Sequence, residues 1–330
     1  MAGDNLFQVN SILIHWGLTA KKARKIRSAW RAETGQGFKC LKQNNLAPDS
    51  SDFVLNLMLY LEKQGFRNFE RLNVTPGNLL SVNVNNLNYI LTDWITGSEV
   101  NLKNPEQVRE TGRAYAEFHL AAQGYRCQIP MHNHLGQWPS AWDEMLSNFS
   151  SWEKDVRARG AQNPGEHLFL YTAGYFREQG EKSFRALEAS AYQALVQAAR
   201  GSLPVIHHSC YYQNLIIDPH DQVNLIDFER SKHDLAVHDL AQLINRSARK
   251  TKWSLEHGRS LLAGYEEVRR LDPAELQLLR LLLAFPYRYW LCCQKYFRES
   301  SGGKWFEEHL AVLIKLETWR QLFLQQIGSS

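Results

Sequence analysis

Hydrophobic and polar positions recur with different periods along the chain. Leu6, Val9, Leu13 and Ile14 fall near helical spacing and predict a short helix over 6–18. The pattern then changes. Stretches 23–26 and 28–31 read as short strands, Thr34-Gly35-Gln36-Gly37 as a turn, and 38–42 as a strand with alternating faces, together a β-meander. Pro48 to Asp52 supplies capping residues for a helix over 52–64, where Phe53, Leu57, Met58 and Leu61 keep one face and Gly65 ends it. Strands over 79–84 and 87–91 follow, joined by a turn at Asn85-Asn86. Beyond Gly97 the pattern is helical, over 105–122, 140–159, 166–200, 235–249, 254–270, 273–299 and 304–326. One block interrupts these helices: an apolar stretch at 204–208 and a hairpin over 212–228 that turns at Pro219-His220-Asp221.

This layout predicts an α+β protein, with a small sheet-plus-helix lobe over 1–95, a hinge near 92–97 and a large helical lobe over 96–330. A length of 330 residues and a hydrophobic share of 44% allow a sizeable core and exclude wholesale disorder. Lys plus Arg number 38 and Asp plus Glu 34, so the formal charge is +4, too mild for the basic face of a nucleic-acid binder. The expectation is no nucleic-acid partner. No apolar run reaches about 18 residues, so no membrane span is expected either. The first residues lack the charged start and apolar run of a signal peptide. Five cysteines without zinc-type spacing predict a reducing, intracellular setting. Aromatic residues reach 12% and many fall late in the chain, which predicts either a large core or an aromatic-lined groove.

Some residues carry possible chemistry. Lys39 and Lys42 lie on one predicted strand with opposite parity, so the pattern alone leaves open which points inward. Asp227 ends the apolar run Leu225-Ile226-Asp227-Phe228-Glu229, and Asn214 lies just before the same hairpin. Asn and Asp offer the oxygen ligands that suit a hard cation such as magnesium.

The stretch Val205-Ile206-His207-His208-Ser209-Cys210-Tyr211-Tyr212-Gln213-Asn214-Leu215-Ile216, taken with 225–229, resembles the catalytic block of the aminoglycoside phosphotransferase and choline kinase superfamily. Within it the chain resembles the CotS family of spore coat proteins, with supporting stretches along nearly its whole length. The resemblance implies a protein kinase-like bilobal fold with ATP and magnesium as possible cofactors. It makes Lys42 the nucleotide lysine, Asn214 and Asp227 the metal ligands, and Thr92, Asp93, Trp94 and Ile95 the hinge against adenine. Asp239 would brace the helical lobe, and His207 would be a packed loop residue with a lesser claim to act as a base.

The chain departs from that pattern. Ser209 stands where the family has the aspartate that accepts the acceptor's proton, and a neutral hydroxyl is far too weak a base for this. The carboxylate that would clamp Lys42 is expected on the helix over 52–64, where the aligned residue is the neutral Asn56. Glu62 lies six residues on, about 600° of rotation away. The turn at 25–30 has no glycine to cradle a phosphate. The expectation is a degenerate phosphotransferase of the spore coat that binds a nucleotide or saccharide-type ligand, or scaffolds the coat. The alternatives are an active small-molecule kinase and a purely structural coat component. The implied partners are other coat proteins, and the implied locations are the mother-cell cytoplasm for synthesis and the spore coat for deposition.

Overall fold

Residues 2–127, 132–299 and 301–327 are described in a computed structural model. Helix α1 (Ala2–Leu13) and a 3-10 turn at Ile14–Trp16 lead into the sheet. Strands β1 (Ala20–Ile26), β2 (Ala29–Thr34) and β3 (Gly37–Gln43) form the expected antiparallel meander. Helix α2 (Pro48–Lys63) follows, with Pro48 in its first turn. Then come β4 (Leu72–Asn73), β5 (Val82–Val84) and β6 (Leu87–Asp93), and the sheet order is β1-β2-β3-β6-β4 with β5 also on β6. The β5–β6 turn at Asn85 and Asn86 holds both residues at positive φ (52° and 61°), the turn hand that matches strand twist. Val9, Ile12 and Leu13 of α1 bury against Leu41 and Leu91 of the sheet.

Strand β7 (Ser98–Glu99) leaves the sheet and pairs with the later hairpin. Gly97 makes this approach possible: a Cβ there would lie 2.1 Å from the Ile217 carbonyl oxygen. The rest is mainly helical: α3 (Pro105–Ala121), α4 (Trp138–Arg159), α5 (Pro164–Glu188), α6 (Tyr192–Ser202), α7 (Val237–Thr251), α8 (Leu255–Glu266), α9 (Pro273–Ala284), α10 (Tyr287–Phe297) and α11 (Gly303–Gln326). Between α6 and α7 lie β8 (Val205–Ile206), β9 (Leu215–Ile217), β10 (Val223–Leu225) and β11 (Lys232–His233). The architecture is therefore the expected α+β one, an antiparallel sheet part followed by a helical part.

Helix starts follow local chemistry. Asn104 and Asn163 cap α3 and α5, each accepting from a glutamate N–H two or three residues on and each followed by proline. Asp272 and Glu275 form a reciprocal capping box on α9. Two helices expected as single pieces are broken. The stretch 273–299 divides at Phe285-Pro286, because Pro286 lacks an N–H and holds Phe285 extended (ψ 132°). The stretch 166–200 divides at Ser190, beyond which the Tyr192 ring stacks on Trp138 at 4.8 Å. The late aromatics are mostly core: Tyr289 and Trp290 are buried, Phe176 stacks on Tyr289 at 3.9 Å, and Tyr296 stacks on Phe306 at 4.1 Å. No helix among the described residues is long and apolar enough to cross a membrane.

Candidate functional site

The site forms where the sheet part meets the β9–β10 hairpin. Leu225 donates its N–H to the Asn68 carbonyl and accepts from the Glu70 N–H, which joins the segment after α2 to the hairpin. Strand β3 carries Lys42 to this junction, and its Nζ lies 2.7 Å from Asp227 Oδ1 and 2.5 Å from Glu229 Oε1. Lys39, of opposite parity, instead sits 2.6 Å from Asp93 and 2.7 Å from the Asn73 side chain. Burial alone would lower the Lys42 ammonium, but Asp227, Glu70 and Glu229 outweigh it and hold it above its ordinary value.

Glu70 was not singled out in the sequence. It lies between α2 and β4, in a stretch without helical or strand period. Its carboxylate accepts from the Asp227 N–H at 2.5 Å and from Thr92 Oγ1 at 3.2 Å. Burial raises its pKa to about 7 against the pull of Lys42. The carboxylates facing Lys42 thus come from the hairpin and from Glu70, and none comes from α2. Asn56 is exposed and donates only to the Asp52 carbonyl.

Asp227 adopts a left-handed conformation (φ 70°), uncommon outside glycine and seldom kept without a role. Asn214 Nδ2 donates to Ser209 Oγ and to the Ser209 carbonyl, each at 3.0 Å, and reaches Asp227 Oδ2 at 3.4 Å. These three acceptors fix the amide, so its Oδ1 is the end left over for a cation. Among the described residues no three His, Cys, Asp or Glu side chains form a ready metal cage. A cation here would lean on water and on a ligand's own oxygens, as magnesium does.

The loop from His207 to Asn214 is held from below. Asp239, wholly buried at the start of α7, accepts from the N–H groups of His207 (2.7 Å) and His208 (2.9 Å) and from Cys210 Sγ (3.2 Å). His119 Nε2 approaches the same carboxylate at 3.1 Å, and its Nδ1 lies 2.9 Å from the Tyr265 hydroxyl. Burial would raise Asp239, but His119 and His207 draw it well below its ordinary value. His207 has no exposed surface and lies edge-on to Phe228 at 4.7 Å, with its Nδ1 taking the Ser209 N–H. His208 turns away, and Gln242 lies 2.5 Å from its Nδ1.

At the hinge, Thr92 is buried and its hydroxyl holds Glu70. The Asp93 carboxylate is occupied by Lys39 and Asn73. The N–H groups of Asp93 and Trp94 pair with the carbonyls of Arg71 and Phe38. Ile95 follows, partly exposed. The glycine-free β1–β2 turn is made by Arg27 at positive φ (54°), and its guanidinium ion-pairs with Glu99 on β7.

Comparison with known proteins completes the picture. Residues 10–327 match the family described as "Spore coat putative kinase YutH". Spore coat protein S of Bacillus subtilis (strain 168) is 24% identical over 318 residues, covering 93% of this chain and 88% of that protein. A crystal structure of an aminoglycoside phosphotransferase from Alicyclobacillus acidocaldarius superposes with a TM-score of 0.85 at 20% identity, over 96% of this chain and 94% of that one. The AMP-bound complex of spectinomycin phosphotransferase superposes with a TM-score of 0.66 at 13% identity, over 98% and 95%. This chain belongs to that spore coat kinase family and is built on the fold of the aminoglycoside phosphotransferases.

Proposed function

We propose that this coat protein binds a magnesium–nucleotide between its sheet and helical parts and transfers phosphate slowly or not at all. The observation that carries this is the contrast between two neighbouring positions. Lys42, Asp227, Glu229 and Asn214 converge within hydrogen-bonding distances. Ser209, the position next to them, is a neutral hydroxyl already engaged by Asn214. Phosphoryl transfer depends on placed charge and on a residue that takes the acceptor's proton. The first is present and the second is missing.

On this reading Lys42 meets the nucleotide phosphates, and Asn214 Oδ1 and the Asp227 carboxylate hold magnesium. When bound, the ion would neutralise charge on those phosphates. Asp227 and Glu229 offer more negative charge than Lys42 cancels, which suits a divalent cation. The chain from Thr92 to Ile95 lines the adenine end, His207 braces the loop, and the two lobes divide near residue 95. Other coat proteins are its partners, and it is made in the mother cell before deposition on the spore. The retained lysine and metal-side residues favour one second reading, an active kinase for a hydroxylated acceptor.

Thermal melting with and without Mg–ATP tests the proposal, because a ligand bound only by the folded state raises the melting temperature by mass action. No shift at millimolar Mg–ATP would remove nucleotide binding as the function.

A further inference from the structure

Beside Ser209 the surface is crowded with cations. The Arg246 guanidinium lies 3.6 Å over the Tyr211 ring, two residues past Ser209, and the Lys250 ammonium 3.4 Å over Tyr212. Arg288, at the start of α10, faces the same phenol: burial would raise Tyr211, but Arg246, Arg230 and Arg288 outweigh it and draw it down. Arg288 is itself pushed down by burial and then by Arg246, the mark of two like charges held close. Among the described residues no carboxylate is ion-paired with Arg246, Arg249, Lys250, Arg288 or Lys295, and Arg246 is held by the neutral groups Gln242 Oε1 and Tyr211.

Part of this cluster borders a cavity, and Arg246 lies one turn of α7 before its lining residue Arg249. Arg249, Arg288 and Lys295 line a space of about 390 Å³ between α7, α10 and α11, together with Trp253, Trp305 and His309. That volume is at the small-molecule end of the usual range. Its two acids do not balance it. Glu317 is committed to Arg320 at 2.8 Å, and Glu308 is an exposed side chain on the rim. Unpaired like charges beside a partly buried cavity repel one another, and an anion relieves that repulsion. The rings around them give a hydroxylated carbon skeleton a face to lie on.

We propose that the acceptor side of this site takes a small organic anion, a phosphorylated or carboxylated sugar-like molecule, held by Arg246, Arg249 and Arg288. This rests on reading Ser209 as the position that faces the acceptor. It sets the site apart from one built for a polycation, which would need carboxylates here.

Calorimetric titration without nucleotide tests it. Glucose 6-phosphate and glucuronate represent the two anionic sources, glucose is the neutral control and kanamycin the cationic one. The expected result is that at least one anion binds with a millimolar or lower Kd, at least tenfold weaker in 0.5 M salt, while glucose and kanamycin give no heat. Arg246→Gln and Arg288→Gln should each weaken that anion at least tenfold. Arg249→Gln, at an exposed position that leaves the fold intact, should weaken it measurably. Binding of kanamycin or glucose as tightly as either anion, no binding of either anion at 10 mM, or anion binding unchanged in all three variants would overturn the proposal. Because nucleotide is absent, this failure is separate from failure of the Mg–ATP shift, and either can fail alone.

Discussion

Lys42 Nζ stands 2.7 Å from Asp227 Oδ1, so the lysine that would meet a nucleotide and the carboxylate that would meet its metal are paired with each other. Mg–ATP would give each a better partner, with phosphate oxygens taking the lysine and magnesium taking the carboxylate. Lys42→Met should therefore abolish the rise in melting temperature with Mg–ATP. Its own cost to stability should be only about 1 kcal/mol, since both side chains are partly in water. Paired melts with and without nucleotide read both quantities, and an undiminished nucleotide shift in the variant would remove Lys42 from the site.

Ser209→Asp places a carboxylate where a proton acceptor is missing. If transfer is limited there, this variant should gain about 10²- to 10⁴-fold in ADP release with an acceptor present. Efficient wild-type turnover that disappears in Asp227→Ala would instead establish the active-kinase reading.

Glu70 gives a pH dependence with a defined sign. Its folded pKa is raised to about 7, so the folded protein keeps a proton that the unfolded chain has lost above its ordinary range. The stability Glu70 contributes is present below about pH 4.5 and is lost as pH rises toward 7. Buried histidines such as His207 and His238 act in the opposite direction over part of this range. They are common to the wild type and to Glu70→Gln, so their effect cancels in the difference. Relative to the wild type, Glu70→Gln should gain stability between pH 5 and pH 8. Parallel melting curves with a constant offset would contradict the burial of an ionisable Glu70.

Two structural substitutions test what holds the loop in place. Asp239→Ala would strip the His207 and His208 N–H groups and His119 of their shared acceptor in the core. The expected loss is about 3–5 kcal/mol, read as a lower urea midpoint. Gly264→Ala would put a Cβ 1.9 Å from the Arg109 carbonyl oxygen, where α8 crosses α3. Helix separation at that crossing should cost about 1–3 kcal/mol.

Much of this was legible in the sequence, for physical reasons. Ser209, Asn214 and Asp227 lie in one short block whose spacing is fixed by a tight loop and hairpin, so their juxtaposition needs no knowledge of distant contacts. Strand parity separated Lys39 from Lys42, and the structure sends the two to different partners. The helix read over 273–299 ran through Pro286, whose missing N–H breaks it, because helical periodicity continues on both sides. Glu70 was hidden because it sits in an aperiodic segment and is brought to the site by pairing with Leu225, far along the chain. Arg246 and Arg288 were hidden differently. Each belongs to a helix whose pattern reads as ordinary amphipathicity, and only the packing of α7 against the loop after Ser209 brings them together.

The central claim, nucleotide binding at a site that lacks its base, is tested most directly by thermal melting of the wild type and of Asp227→Ala in millimolar Mg–ATP. The account predicts a rise in the wild type, about 2.7 kcal/mol at a hundredfold excess over Kd, and none in Asp227→Ala. An unshifted wild type, or an equal shift in both proteins, would contradict it.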